Sequence, residues 1–301
     1  MKSKVLLLSL TAVCGCVWSS HGQVLLNDTL ADGDRTGTSL PGESAVWISH
    51  PGSVTMNPGS LLYTQSGSSQ KMWTYFTPDG SPASLGVGDQ LVATIGFIPR
   101  GALYDNGSRS FRFGLFHDPT NPQVLADLNS DGGGDGSPWT DSTGYGVQIA
   151  LSTGASASAN ANVGKRTDQA NSSLMGSGGA WTFDNGGDPL VNSLDTPYTM
   201  SLALNRTAID EMMVTFSISD ANGLISTHSI TDAPNGSAEF GTGAIATDFD
   251  QLFFRFSNNS TVADALEFTQ FSVEFIPVPE PTSFALAGLG LLGYVMARRR
   301  S

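Results

Sequence analysis

Cysteine, basic side chains and glutamate are scarce in this sequence, and it has no apolar run of the 20 or so residues that a membrane span takes. Its two cysteines, Cys14 and Cys16, fall within the first 22 residues. Beyond them there is no thiol to form a disulfide, bind a metal or attack a substrate, so stability has to come from core burial. Between residues 23 and 280 only nine Lys and Arg face 27 Asp and Glu, a net charge of −18 for that segment. That excludes nucleic acid as a partner, because gripping a phosphate backbone needs clustered cations that displace counterions. Anionic lipid headgroups are disfavoured for the same reason, whereas a neutral glycan or a cation is not.

Glutamate is limited to Glu43, Glu211, Glu239, Glu267, Glu274 and Glu280, and no two of these sit two or four apart on one strand pattern. Glycoside hydrolysis commonly needs two carboxyl groups roughly 5 to 9.5 Å apart. His50, His117 and His228 are scattered, with no HExxH pair and no GxSxG elbow. No catalytic residue is assigned, and the sequence reads as that of a non-enzyme.

What the sequence has instead is alternation. Leu91, Ala93, Ile95 and Phe97 point one way, as do Phe111, Phe113 and Leu115, then Tyr145, Val147, Ile149 and Leu151. The same period of two recurs at Met200, Leu202 and Leu204, at Val214, Phe216 and Ile218, and at Leu252, Phe254 and Phe256. Such a period marks half-buried strands, and no stretch sustains a helical one. The phase slips between Leu266, Phe268 and Phe271, Val273, which places a β-bulge near Thr269 or Gln270. Asp105-Asn106-Gly107, Asp184-Asn185-Gly186-Gly187 and Ala221-Asn222-Gly223 read as turns. With no fixed-period repeat, twelve or more strands predict one all-β domain over 23–276, a two-sheet antiparallel sandwich of the jelly-roll kind. Residues 152–195, rich in Ser, Gly, Ala and Asn, read as long loops or a weakly patterned insertion.

Both ends differ from this body. Lys2 and Lys4 precede the apolar stretch Val5 to Val17 and the small residues before Gln23, so residues 1–22 read as a secretory signal peptide. A rival reading takes Val13-Cys14-Gly15-Cys16 as a partial lipoprotein box with lipid on Cys16. At the other end, a Pro-rich linker over 277–282 leads into 15 uncharged residues, Ser283 to Ala297, and then Arg298, Arg299 and Arg300. As a helix that stretch reaches about 22 Å, against about 30 Å of bilayer hydrocarbon. The arginines would hold the C-terminus in the cytoplasm, leaving the body outside. An ordinary retained anchor is the alternative.

Val278-Pro279-Glu280-Pro281, a short apolar segment and the cap Arg298 to Arg300, in that order, resemble the PEP-CTERM sorting signal of Gram-negative bacteria that make exopolysaccharide. The resemblance implies an exosortase as partner, a transient anchor in the membrane through a short C-terminal transmembrane helix, and removal of the tail near Pro-Glu-Pro. It also implies delivery to the cell envelope, the cell surface or the extracellular matrix. More loosely, the opening Asn27 to Arg35, the strand count and the closing strand Phe268 to Phe275 resemble concanavalin A-like lectins and glucanases. The glucanases of that fold carry Glu, Asp and Glu close together on one strand, which this sequence lacks.

Two kinds of ligand remain open. In DLNSDGGGDG, Asp127, Asn129, Asp131 and Asp135 take relative positions 1, 3, 5 and 9, with Gly132 at position 6. Alternating oxygens around a glycine turn suit Ca²⁺, although Pro138 stands where an EF-hand has its bidentate Glu; the simpler reading is a solvated acidic loop. Asp28, Asp32 and Asp34 form a second acidic cluster, readable as a calcium site or as a turn. For a sugar, Trp139 and Trp181 lead among the aromatics, ahead of Trp73, Tyr75 and Tyr145, because they lie in turn-rich surroundings and rings stack on sugar faces. Three functions follow: a non-catalytic surface or matrix protein associated with exopolysaccharide, a calcium-assisted carbohydrate-binding module, or a polysaccharide-cleaving hydrolase, which the missing carboxylate pair disfavours.

Overall fold

The computed structural model describes residues 22–36, 45–49, 54–64, 70–103, 111–128, 138–151, 161–171, 174–175, 180–184, 186–187, 190, 192–233, 240, 243–256 and 263–278. Among these residues there is no helix. Seventeen strands follow in order: β1 (Gln23–Asp28), β2 (Ile48–Ser49), β3 (Val54–Asn57), β4 (Ser60–Thr64), β5 (Gln70–Tyr75), β6 (Ala83–Ser84), β7 (Gln90–Leu103), β8 (Phe111–His117) and β9 (Thr143–Ile149). They continue with β10 (Asn162–Arg166), β11 (Trp181–Phe183), β12 (Tyr198–Ala208), β13 (Glu211–Asp220), β14 (Gly223–Asp232), β15 (Asp248–Phe249), β16 (Gln251–Phe256) and β17 (Ala263–Ile276). One sheet runs β14-β13-β12-β7-β17-β4-β3, with β1 also paired to β17; the other runs β11-β10-β9-β8-β16-β5-β2, and β15 pairs with β6. All pairings are antiparallel, so the chain forms the expected two-sheet sandwich.

The alternating residues do what their period demands. Leu91, Ala93, Ile95 and Phe97 of β7 and Met200, Leu202 and Leu204 of β12 meet Phe113, Val147 and Phe254 of the opposite sheet in one core. The expected bulge is present: the register of β17 against β7 slips between Phe268 and Gln270. Gly96 lies opposite, where a Cβ would come within 2.8 Å of Thr269 Oγ1, so the missing side chain makes room for the extra residue. Ala221 and Asn222 turn β13 into β14, and Gly223 takes φ of 124°. The proposed turn at 105–107 lies outside the described residues.

Two features depart from the sequence reading. Residues 152–195 do not simply loop, since they contribute β10 and β11 to the second sheet. That sheet is also buried on both faces: its outer side carries a second apolar cluster of Ile48, Trp73, Phe116, Trp139, Leu174, Met175, Ala180, Trp181 and Phe253. Gly114, Gly146 and Gly164 stand in register across β8, β9 and β10 and form a trough there. A Cβ on Gly146 would lie 2.8 Å from Met175 Cε and 3.2 Å from Trp181 Cη2. Phe116, Met175, Trp181 and Phe183 therefore approach the sheet closely because three consecutive strands offer bare backbone.

The first and last strands are neighbours. β17 pairs along its length with β7, while β4 and β1 share its other side end to end. Gln23 stands opposite Phe275, so both terminal segments leave from one end of the sandwich.

Candidate functional site

The acidic residues proposed for calcium do not converge among the described residues. Arg35 donates through Nη1 and Nη2 to Asp127 Oδ1 and Oδ2 at 2.8 and 2.7 Å, and the Ser49 amide adds a bond at 2.9 Å. The guanidinium holds the Asp127 carboxyl below its ordinary range, and both oxygens are occupied. Asn129, Asp131 and Asp135 lie outside the described residues. Asp28 is buried and accepts bonds from Trp47 Nε1 at 2.6 Å and from the amides of Leu30 and Ala45. Burial raises its pKa more than these donors lower it. Asp32 and Asp34 close local turns by accepting from the amides of Asp34 and Thr36. No group of three or more His, Cys, Asp or Glu side chains that could hold a metal occurs among the described residues.

The aromatic candidates are placed differently from expectation. Trp139 is 1% exposed and packs edge-on to Trp73 and Phe253, with ring centroids 5.1 and 5.4 Å away. Trp181 is 8% exposed, stacks on Phe183 at 5.5 Å, and donates its indole N–H to Leu174 O. Both belong to the outer cluster of the second sheet, so neither presents a free ring face to a sugar. Turn-rich surroundings do not imply exposure when the ring itself packs against neighbouring strands.

A cavity of about 460 Å³ opens instead over β9, β10 and β11, lined by Thr143, Lys165, Thr167, Gln169, Thr182, Phe240 and Ile245 among others. In its wall, Lys165 Nζ donates to Asp232 Oδ2 and to Gly243 O, each at 2.8 Å. Asp232 Oδ2 also accepts the Tyr145 hydroxyl at 2.6 Å, and that hydroxyl accepts the Ala246 amide. Burial and the Asp232 carboxylate push the Tyr145 pKa upward, so the phenol stays protonated and donates. Sequence reasoning missed this network. Lys165 and Asp232 stand 67 positions apart, and the only local trace is a lysine at an inward-facing strand position.

Other titratable pairs are separate from it. His117 Nδ1 lies 3.1 Å from Asp250 Oδ2. Its pKa is raised, first by the hydrogen bond to Asp250, with burial opposing. His228 Nε2 bonds Asp184. Glu267 pairs with Arg100, which also binds Asp195 at 2.6 Å.

At the end where both terminal segments leave, the C-terminal strand runs directly into the sorting motif. Ile276 still pairs with Gln90, and two residues on the Val278 amide donates to Asp89 Oδ1 at 2.9 Å. Pro279, Glu280, Pro281, Arg298, Arg299 and Arg300 lie outside the described residues. No helix among the described residues is long and apolar enough to cross a membrane.

Residues 277–300 match the PEP-CTERM protein-sorting motif, which agrees with the motif, apolar stretch and arginine cap read from the sequence. The match covers the tail and leaves the sandwich unclassified. No curated protein matches the sequence. Among solved structures, peanut lectin with a 9mer peptide aligns with a TM-score of 0.48 at 10% identity, covering 86% of this chain and 100% of that one. The exoplasmic/lumenal domain of VIP36 in a Ca²⁺/Man2-bound form gives 0.49 at 10% identity, over 88% and 94%. The Lotus tetragonolobus seed lectin gives 0.45 at 12%, over 85% and 99%.

Proposed function

We propose that this is an exported, non-catalytic surface or matrix protein of a Gram-negative cell, whose C-terminal segment is read by an exosortase and whose β-sandwich is the cargo. The match of residues 277–300 to the sorting motif carries the reading. Three further features support it. The body is strongly anionic and free of thiols, both terminal segments leave from one end of the sandwich, and Glu267 is committed to Arg100. The membrane segment anchors the precursor transiently, and the processed body associates with exopolysaccharide. Intact-mass measurement of the exported protein tests this: a product that begins near Gln23 and lacks Arg298 to Arg300 supports it, and one that retains the arginine cap overturns it.

The cavity favours a second reading, carbohydrate binding by the same body. Hydroxyls of Thr143, Thr167 and Thr182 and the Gln169 amide stand beside the apolar surfaces of Ala244 and Ile245. A pyranose needs both kinds of surface, and about 460 Å³ lies within the range of about 300 to 1,000 Å³ usual for small-molecule sites. A calcium ion held by the segment Asn129 to Asp135 belongs to this reading. Titration of residues 23–280 with neutral oligosaccharides, with and without calcium, tests it: saturable binding lost in Thr182→Val and Gln169→Ala supports the cavity. Release of reducing ends would instead indicate an enzyme.

A further inference from the structure

The sorting motif begins before the folded body has let go of the chain. Residues 277 and 278 belong to the matched segment, yet Val278 is fixed to the body at two points. Its amide donates to Asp89 Oδ1 at 2.9 Å. Its side chain lies on Gly88, where a Cβ would come within 3.3 Å of Val278 Cβ.

The holding residues are themselves rigidly placed. Asp89 Oδ2 accepts the Gly86 amide at 2.9 Å, and the Asp89 amide closes the same turn on Gly86 O at 3.1 Å. That turn is tied to β12 by a reciprocal pair, Gly88 N to Arg206 O at 2.6 Å and Arg206 N to Asp89 O at 3.1 Å. Gly88 needs its φ of 95° to make this turn, a conformation that a side chain would strain.

We infer that Asp89 is a positioning residue for tail processing: by holding Val278 it withholds the start of the motif from the sorting enzyme until that contact opens. This rests on the exosortase reading above. From Val278 to Ser283, where the apolar segment begins, there are five peptide steps, which span at most about 17 Å when fully extended. On that reading a membrane-embedded enzyme has to reach Pro-Glu-Pro within that distance, against the end of a whole sandwich domain. Freeing Val278 and Pro277 lengthens the accessible chain without disturbing the β17 pairing that ends at Ile276.

The test is pulse-chase of the full-length precursor in cells that carry the exosortase. The parent is compared with Asp89→Ala and with a variant carrying Gly-Ser-Gly-Ser between Val278 and Pro279, which leaves the Asp89 contact intact but adds slack. Asp89→Ala should lose the tail faster, by roughly threefold to tenfold, the range that losing one exposed hydrogen bond allows, and the spacer variant should also lose it faster, through the added slack alone. In the purified full chain the Val278 amide should be protected from hydrogen exchange, and that protection should vanish in Asp89→Ala. Equal processing times in all three chains, or an unprotected Val278 amide in the parent, overturn the inference. Failure of every chain, including the spacer variant, to lose its tail would sink the exosortase reading itself, and the inference with it.

Discussion

Arg35 grips Asp127 across 92 positions of sequence with both terminal guanidinium nitrogens, tying the segment after β1 to the start of the acidic loop. The folded pKa of Asp127 is depressed, so its contribution is present above the unfolded value near 3.9 and lost as pH falls through the folded value. The pair is partly exposed, with side-chain exposures of 22% and 40%, which limits it to about 1 kcal/mol. Asp127→Asn should lower stability by about that amount at pH 7 and by less near pH 3, as urea titrations at the two pH values will measure. If calcium binds through Asn129, Asp131 and Asp135, it should raise the melting temperature of the Asp127→Asn protein as well as the parent.

His117 and Asp250 give the opposite pH dependence. The folded His117 pKa is raised, so its contribution is complete below the unfolded value near 6.5 and disappears as pH rises through the folded value. Melting temperature should therefore carry a falling component above about pH 6.5. His117→Gln should remove that component, and an unchanged pH profile in the variant would refute the assignment.

Lys165 and Asp232 are a buried ion pair, with side-chain exposures of 5% and 0%. Removing one charge leaves the other stranded in low dielectric, so Lys165→Met should cost about 3 to 5 kcal/mol. The double variant Lys165→Met with Asp232→Leu should recover much of that loss, because it strands no charge. Equilibrium unfolding of these two and of the single variant Asp232→Leu gives the coupling directly, and additive losses would show that the pair is not coupled.

The glycine trough makes a packing prediction. Gly146→Ala puts a methyl group against Met175 and Trp181 and should cost roughly 1 to 3 kcal/mol. Trp47, Trp73, Trp139 and Trp181 are all buried. In the parent, iodide should leave tryptophan emission nearly unquenched; in Gly146→Ala, quenching of Trp181 should increase as its ring lifts from the sheet.

Composition and period make the architecture legible in the sequence. Alternation along β7, β12 and β13 gives inward-facing strands, and the phase slip between Phe268 and Phe271 gives the bulge, because both are properties of contiguous residues. The same reasoning misplaced Trp139 and Trp181. Whether an aromatic in turn-rich sequence is exposed depends on what it packs against in space: Trp73 and Phe253 for Trp139, and Phe183 with Gly146 and Gly164 for Trp181.

The sequence alone therefore determined that this is an anionic, all-β body, free of thiols between residues 23 and 280, that leads into a C-terminal sorting motif, since charge, strand period and a contiguous motif are all local. Only the tertiary structure decided which carboxylates were already taken, where a polar cavity opens, and that the sorting motif starts while still bound to Asp89. Those outcomes join residues tens to nearly two hundred positions apart, and distance along the chain carries no signal of distance in space.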